Sequence, residues 1–223
     1  DGLRKVFEWY IGPMVYSSKS EVNKDFIETR IYEYTNDDIQ YSKIDKIHTK
    51  NGPKPCMPKM INNICEYVPR TELIVDITKK YHSEGRYILI LSDRREHLNI
   101  MFKMLQGYSV GFYVGGMKPD ELRESQEKDI ILATFSMASE GMDIPNLDSL
   151  ILSSPKSNVI QSVGRILRKK HKQAVVVDIV DSHVLFQRHF AKRRTFYKKS
   201  KFKKNIFYKI LISSKIRFIN ILF

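Results

Sequence analysis

The chain has 223 residues, 42% hydrophobic and 28% charged, which fits a globular domain with appendages and excludes wholesale disorder. No run of roughly 18 apolar residues is free of charge, so no membrane-spanning helix is expected, and the charged opening DGLRKVFEWY is not a signal peptide. The net charge of +13 is lopsided: residues 1–181 hold 26 Lys and Arg against all 25 acidic residues, and residues 182–223 hold 12 basic residues and no acidic one. A near-neutral body with a cationic tail points to a polyanionic partner, nucleic acid or an anionic membrane surface. Cys56 and Cys65 are too few for a disulfide framework or a four-cysteine zinc site and read as free thiols in a reducing compartment. With Asp1 at its start, the chain is expected to be a piece of a longer protein.

In chain order, Leu3, Val6, Phe7, Tyr10 and Ile11 share one helical face before Pro13. The alternation in FIETRIYEY (26–34) predicts a strand. Residues 37–57 are polar, with Pro53 and Pro55, and read as an insertion or long loop. Helical spacing returns in 58–68 and in 71–85, which ends on Gly85. The apolar run RYILILS (86–92) predicts a buried parallel strand. Further along, helix is expected over 95–107, strand over 109–116, helix over 119–128, strands over 129–135 and 147–155, helix over 158–168 and strand over 173–180. This alternation predicts an α/β architecture, a mostly parallel sheet with helices on both faces. Ligands on such sheets bind in the loops beyond the carboxyl ends of the strands.

Three segments carry chemistry there. ILSDRREHL (90–98) places Ser92, Asp93, Arg94 and Arg95 at a strand end; ILATFSMASEGMDIP (131–145) breaks from a strand into a glycine-containing loop; QSVGRILR (161–168) sets Arg165 and Arg168 three apart on a helix, able to reach one anion. Alone, the two arginines read as a solvated basic face, GMDIP as a turn, and VGGM (114–117) as a tight turn. Their order and spacing, each after its own strand, are more specific.

Together these segments resemble motifs IV, V and VI of the second RecA-like domain of superfamily 2 helicases, nearest to the UvsW-like and excision-repair branch and to the helicases of large eukaryotic DNA viruses, with poxvirus and African swine fever virus relatives. The resemblance is strong over about residues 87–181 and looser at the opening. It implies a RecA-like three-layer sandwich over 26–185, a preceding segment 1–25 that ends the first RecA-like domain or links to it, and a basic C-terminal extension over 186–223. It implies that Arg165 and Arg168 act as arginine fingers with Gln161 orienting the site, that Gly141 and Asp143 face the nucleotide, and that Ser92, Arg94, Gly115, Gly116, Thr134 and Ser136 contact nucleic-acid backbone. ATP and Mg2+ are implied only with the first RecA-like domain, because the phosphate loop GxxxxGK[ST] and the DExH box do not occur in this chain. No resident metal site is expected in the chain itself. The expected partners are DNA, with RNA as the other option, and the first RecA-like domain; no membrane is expected, and the location is intracellular, virion or host cytoplasm for a viral protein. The isolated chain is expected not to hydrolyse ATP. The alternative function is a non-catalytic nucleic-acid-binding module, and a membrane-surface scaffold is a more distant rival. In the tail, KRRTFYKKSKFKK (192–204) interleaves cations with Phe196, Tyr197 and Phe202, which suits phosphate neutralisation with base stacking, or else a solvated helix or disordered extension. The apolar end, 205–223, is expected to pack on the body.

Overall fold

A computed structural model describes residues 27–139, 142, 144, 146–166, 173–200, 202, 204–213 and 216–222. The helical reading of Leu3 to Ile11 lies outside them. The elements in order are β1 (Ile27–Asn36), α1 (Ile39–Ser42), β2 (Lys46–Thr49), β3 (Gly52–Pro55), α2 (Met57–Glu66), α3 (Val68–Ser83), β4 (Ile88–Ser92), α4 (Arg95–Met104), β5 (Val110–Tyr113), α5 (Pro119–Gln126), β6 (Ile130–Thr134), α6 (Phe135–Ser139), β7 (Ser149–Leu152), α7 (Ile160–Ile166), β8 (Ala174–Asp181), α8 (Val184–Lys199), β9 (Lys204–Ser213) and β10 (Ile216–Leu222).

The main sheet runs β10-β9-β1-β8-β7-β4-β6-β5. Six strands, β1 and β4 to β8, form a wholly parallel RecA-like sheet, and β9 extends it in parallel along β1. Only β10 is antiparallel to its neighbour. Strands β4 and β8 are buried at every position, which is why ILILS and AVVVDIVD are continuous apolar runs rather than alternating ones. Each Ile or Leu so buried contributes about 1.5–3 kcal/mol.

Successive side chains divide between the two faces. Ile88, Ile90, Ile130, Leu132 and Val177 meet α2, α3 and α4 through Ile64, Ile74, Tyr81 and Leu98. Leu89, Leu91, Ile131, Leu152 and Val176 meet Phe135, Val163 and Tyr197 of α6, α7 and α8. The result is helix, sheet and helix in three layers, as the alternating pattern implied. The chain breaks between α2 and α3 at Tyr67, whose backbone is extended at φ −74° and ψ 104°, and Pro69 sits in the first turn of α3, where a missing N–H costs no intrahelical bond. Gly85 ends the α3 turn at φ +76° and Gly107 the α4 turn at φ +89°, the left-handed region where glycine carries no Cβ penalty.

The segment 37–57 is not a plain loop. It forms α1 and a two-stranded antiparallel hairpin of β2 and β3. The basic tail begins as helix α8, and the apolar end supplies β9 and β10 to the sheet, with Tyr208 stacked on Tyr32 at 4.5 Å between ring centres. Among the described residues, no helix is long and apolar enough to cross a membrane.

Candidate nucleic-acid and phosphate site

The chain leaves β4 toward the β6-β5 side of the sheet and leaves β7 toward β8, although β4 and β7 are adjacent. Connections that part from neighbouring strands open a crevice at the carboxyl ends. The loops there are tied across the two strands. Ser153 donates its hydroxyl to the Leu91 carbonyl at 2.6 Å, the Asp93 amide donates to Ser154 Oγ at 2.8 Å, and Lys156 Nζ meets Asp93 Oδ1 at 2.9 Å. The Lys156 ammonium also lies 5.1 Å from the centre of the Phe135 ring. Beside this pair opens a cleft of about 360 Å³, lined by Asp93, Thr134, Phe135, Ser136, Ser139, Lys156, Asn158, Gln161 and Ser162.

Hydroxyls, two carboxamides and an ammonium that is paired with the Asp93 carboxylate make a lining rich in donors. Such a set suits the non-esterified oxygens of a phosphate and reads no base. The Thr134 and Ser136 hydroxyls stand 3.2 Å apart at the end of β6. Gln161 is exposed on α7, and Arg165 follows on the same helix four residues later. The Arg165 side chain, and all of Gly141, Asp143 and Arg168, lie outside the described residues.

Two of the expected contacts are used internally instead. Ser92 is fully buried; its oxygen accepts the Arg94 amide at 3.1 Å and lies 3.1 Å from His97 Nδ1. The hydroxyl therefore shapes the β4–α4 turn and is not presented to a ligand. Arg94 spends its guanidinium on Asn62 Oδ1 at 2.5 Å and on the carbonyls of Asp93 at 3.1 Å and Pro58 at 3.2 Å, which ties α4 to α2. Gly115 and Gly116 stand exposed beyond β5, away from this cleft. Gly116 needs its freedom at φ +84°, and no atom lies within 4 Å of a Cβ built on Gly115, so space is open to a ligand there.

Burial controls the titratable groups around the crevice. It pulls the His97 imidazole down to about 3, with Arg70 adding to the effect, so the ring is neutral in the fold. It pushes the Cys65 thiol up to about 12, which makes Cys65 an inert core residue. Lys156 and Asn158 escaped the sequence reading. The polar run SSPKSN after a buried strand was the available signal, since a ligand-binding loop follows such strands.

Residues 69–170 match the family model described as the helicase conserved C-terminal domain, and every residue of the cleft falls inside that span. These residues form a superfamily 2 helicase C-terminal domain. The chain is 34% identical over 210 residues to a protein of Acanthamoeba polyphaga mimivirus named "Putative ATP-dependent RNA helicase L396", covering 91% of this chain and 40% of that relative. It is 32% identical over 117 residues to the transcript termination protein A18 of fowlpox virus, covering 47% of this chain and 25% of that protein. The chain superposes on T4 UvsW with a TM-score of 0.63 at 20% identity, over 85% of this chain and 42% of the UvsW chain, a likeness of fold. The chain thus spans well under half the length of these relatives.

Proposed function

We propose that this helicase domain is the C-terminal motor half of an ATP-dependent superfamily 2 DNA helicase or translocase, working with a first RecA-like domain that carries the phosphate loop. The observation that carries the proposal is the hydroxyl-lined cleft at the strand-order reversal, with Gln161 at its wall and Arg165 one turn further along α7. Thr134, Ser136 and Lys156 would hold a nucleic-acid phosphate on one side. On the other, Arg165 and Arg168 would meet the terminal phosphates of ATP, with Gln161 orienting them and Gly141 and Asp143 close to the nucleotide.

A guanidinium suits that place because charge spreads over the phosphoryl oxygens in the transition state, and a planar fork stabilises it more there than in the ground state. The described residues do not fit a magnesium site. They hold no group of three or more His, Cys, Asp or Glu in ligating array, and the Asp93 carboxylate in the cleft is occupied by Lys156. The metal ligands would come from the first domain.

The test is nucleic-acid-stimulated ATP hydrolysis by a protein that includes the first RecA-like domain. Arg165→Ala and Arg168→Ala should each lower turnover by about 10³-fold or more while ATP affinity changes far less. Turnover near wild type in both variants would overturn the assignment, and so would ATP hydrolysis by the 223-residue chain alone. RNA is the second reading of the substrate, favoured by the name of the mimivirus relative; stimulation by RNA and not by DNA would select it.

A further inference from the structure

Among the described residues, the β2–β3 hairpin has its side chains turned to solvent. All four β2 side chains are exposed, as are three of the four in β3. A two-stranded hairpin with no buried face is marginal by itself. Among the described residues this one is tied at its base, where the Cys56 amide donates to the Asp45 carbonyl at 2.7 Å and Asn63 Nδ2 donates to Asp45 Oδ2 at 2.5 Å. Pro53 and Pro55 leave the outer edge of β3 without two of its N–H donors, so another strand cannot readily add there. The hairpin is a solvent-exposed ribbon.

Its charge is as distinctive as its exposure. Residues 43–59 hold five lysines and a single acidic residue, Asp45. Among the described residues Asp45 pairs with Lys43, while Lys46, Lys50 and Lys54 meet no carboxylate. Cross-strand pairing sets Lys46 opposite Pro55 and Lys54 opposite Ile47, so the two lysines leave opposite faces of the ribbon, and Lys50 occupies the turn. Cations on both faces and at the tip suit a partner that presents anions on several sides. A flat acidic protein surface does not; the groove of a duplex does. The major groove of B-form DNA, about 12 Å wide, admits a two-stranded ribbon between its two phosphate rows, whereas that of A-form RNA is too narrow.

The hairpin also stands on the right side of the sheet. It follows the carboxyl end of β1, and α2, which anchors its base through Asn63, is the helix that Arg94 ties to the loop after β4. We infer that the β2–β3 hairpin is a duplex-DNA contact, with Lys46, Lys50 and Lys54 neutralising phosphates flanking the major groove. This rests on the nucleic-acid reading above and adds a site outside the matched helicase span.

The experiment compares the 223-residue chain with the triple variant Lys46→Gln, Lys50→Gln, Lys54→Gln. Fluorescence anisotropy follows binding to a labelled 20-base-pair DNA duplex and to the matching RNA duplex across a salt series. On DNA the slope of log affinity against log salt should fall by about 2–3 units, near 0.9 for each phosphate no longer neutralised. On RNA the change should be smaller. Thermal melts should coincide, since the substituted side chains are exposed, and Lys50→Gln alone should lower the DNA slope by about 1 unit. An unchanged slope in a triple variant that binds like wild type overturns the hairpin site and leaves the nucleic-acid reading standing. An equal change on RNA overturns the groove assignment. A wild-type chain that binds neither duplex overturns the reading beneath both.

Discussion

Arg70 and Asp181, 111 residues apart in sequence, meet in a two-pronged ion pair within the core, Nε to Oδ1 at 2.6 Å and Nη2 to Oδ2 at 2.8 Å. Tyr41 adds its hydroxyl to Asp181 at 3.1 Å, and the remaining arm of Arg70 reaches the Ser153 carbonyl at 2.9 Å. Three residues earlier on β8, Asp178 points to the other face and takes Arg193 in the same manner, at 2.8 and 2.9 Å. Helix α3 is thus clamped to one face of β8 and helix α8 to the other.

Breaking one such clamp strands a buried charge. Arg70→Met should lower unfolding stability by about 3–5 kcal/mol, because among the described residues the Asp181 carboxylate then keeps Tyr41 alone as a partner. Urea denaturation of the chain measures it, and a loss below about 1 kcal/mol would show that the carboxylate finds solvent or a proton at little cost.

His97 makes stability depend on pH. Its pKa is about 3 in the fold against 6.5 for the free side chain, so between those values the unfolded chain binds a proton that the folded chain does not. The contribution is complete above pH 6.5 and is lost as pH falls toward 3, by up to about 1.4 kcal/mol per unit. His97→Gln should flatten the fall in stability below pH 6.5. Superimposable wild-type and variant slopes between pH 7 and 5 would remove His97 as the cause.

Gly111 lies where β5 presses on α5. A Cβ there would stand 2.9 Å from both Cα and Cβ of Ser125, and the first of these is backbone. Gly111→Ala should therefore cost about 1–3 kcal/mol by overpacking. A melting temperature equal to that of the wild type would mean that α5 shifts freely.

On α8 the basic residues divide into two kinds. Arg188, Lys192, Arg194, Lys198 and Lys199 are exposed, whereas Arg193 is buried against Asp178. Replacing the five exposed residues by Gln should weaken nucleic-acid binding and lower its salt slope with the fold intact, whereas Arg193→Gln should unfold the helix from the sheet. Removing the whole tail cannot test its charge, since β9 and the Arg193 clamp would go with it. Salt titrations paired with circular dichroism distinguish the two classes; equal folding losses in both would contradict the division.

The parallel sheet was legible because its strands are buried on both faces and its helices on one. Strings such as ILILS and AVVVDIV carry that difference directly. The hairpin was not legible, because exposed Lys46, His48, Lys50 and Lys54 carry no burial pattern to read. Nor was the fate of Arg94 or Arg193. A guanidinium that neutralises a phosphate and one that holds Asn62 or Asp178 look alike in sequence, and the deciding partner is remote. Thr134, Ser136 and Gln161 do line one cleft, whereas Ser92, the register partner of Thr134 across β4 and β6, is taken up by the Arg94 amide and the His97 ring of its own turn, partners that the sequence does not display.

The place of β1 has a mechanical consequence. It lies between two parallel neighbours, in register with β8 from Ile27–Ala174 to Tyr34–Asp181 and with β9 from Glu28–Lys204 to Asn36–Ile212. A pull on Ile27 along the strand loads both ladders in shear, so their hydrogen bonds resist together; a pull across an edge strand would peel its bonds one at a time. Tension arriving from residues upstream would accordingly pass into the middle of the sheet with little give, moving the domain as a rigid lever before its first strand slips.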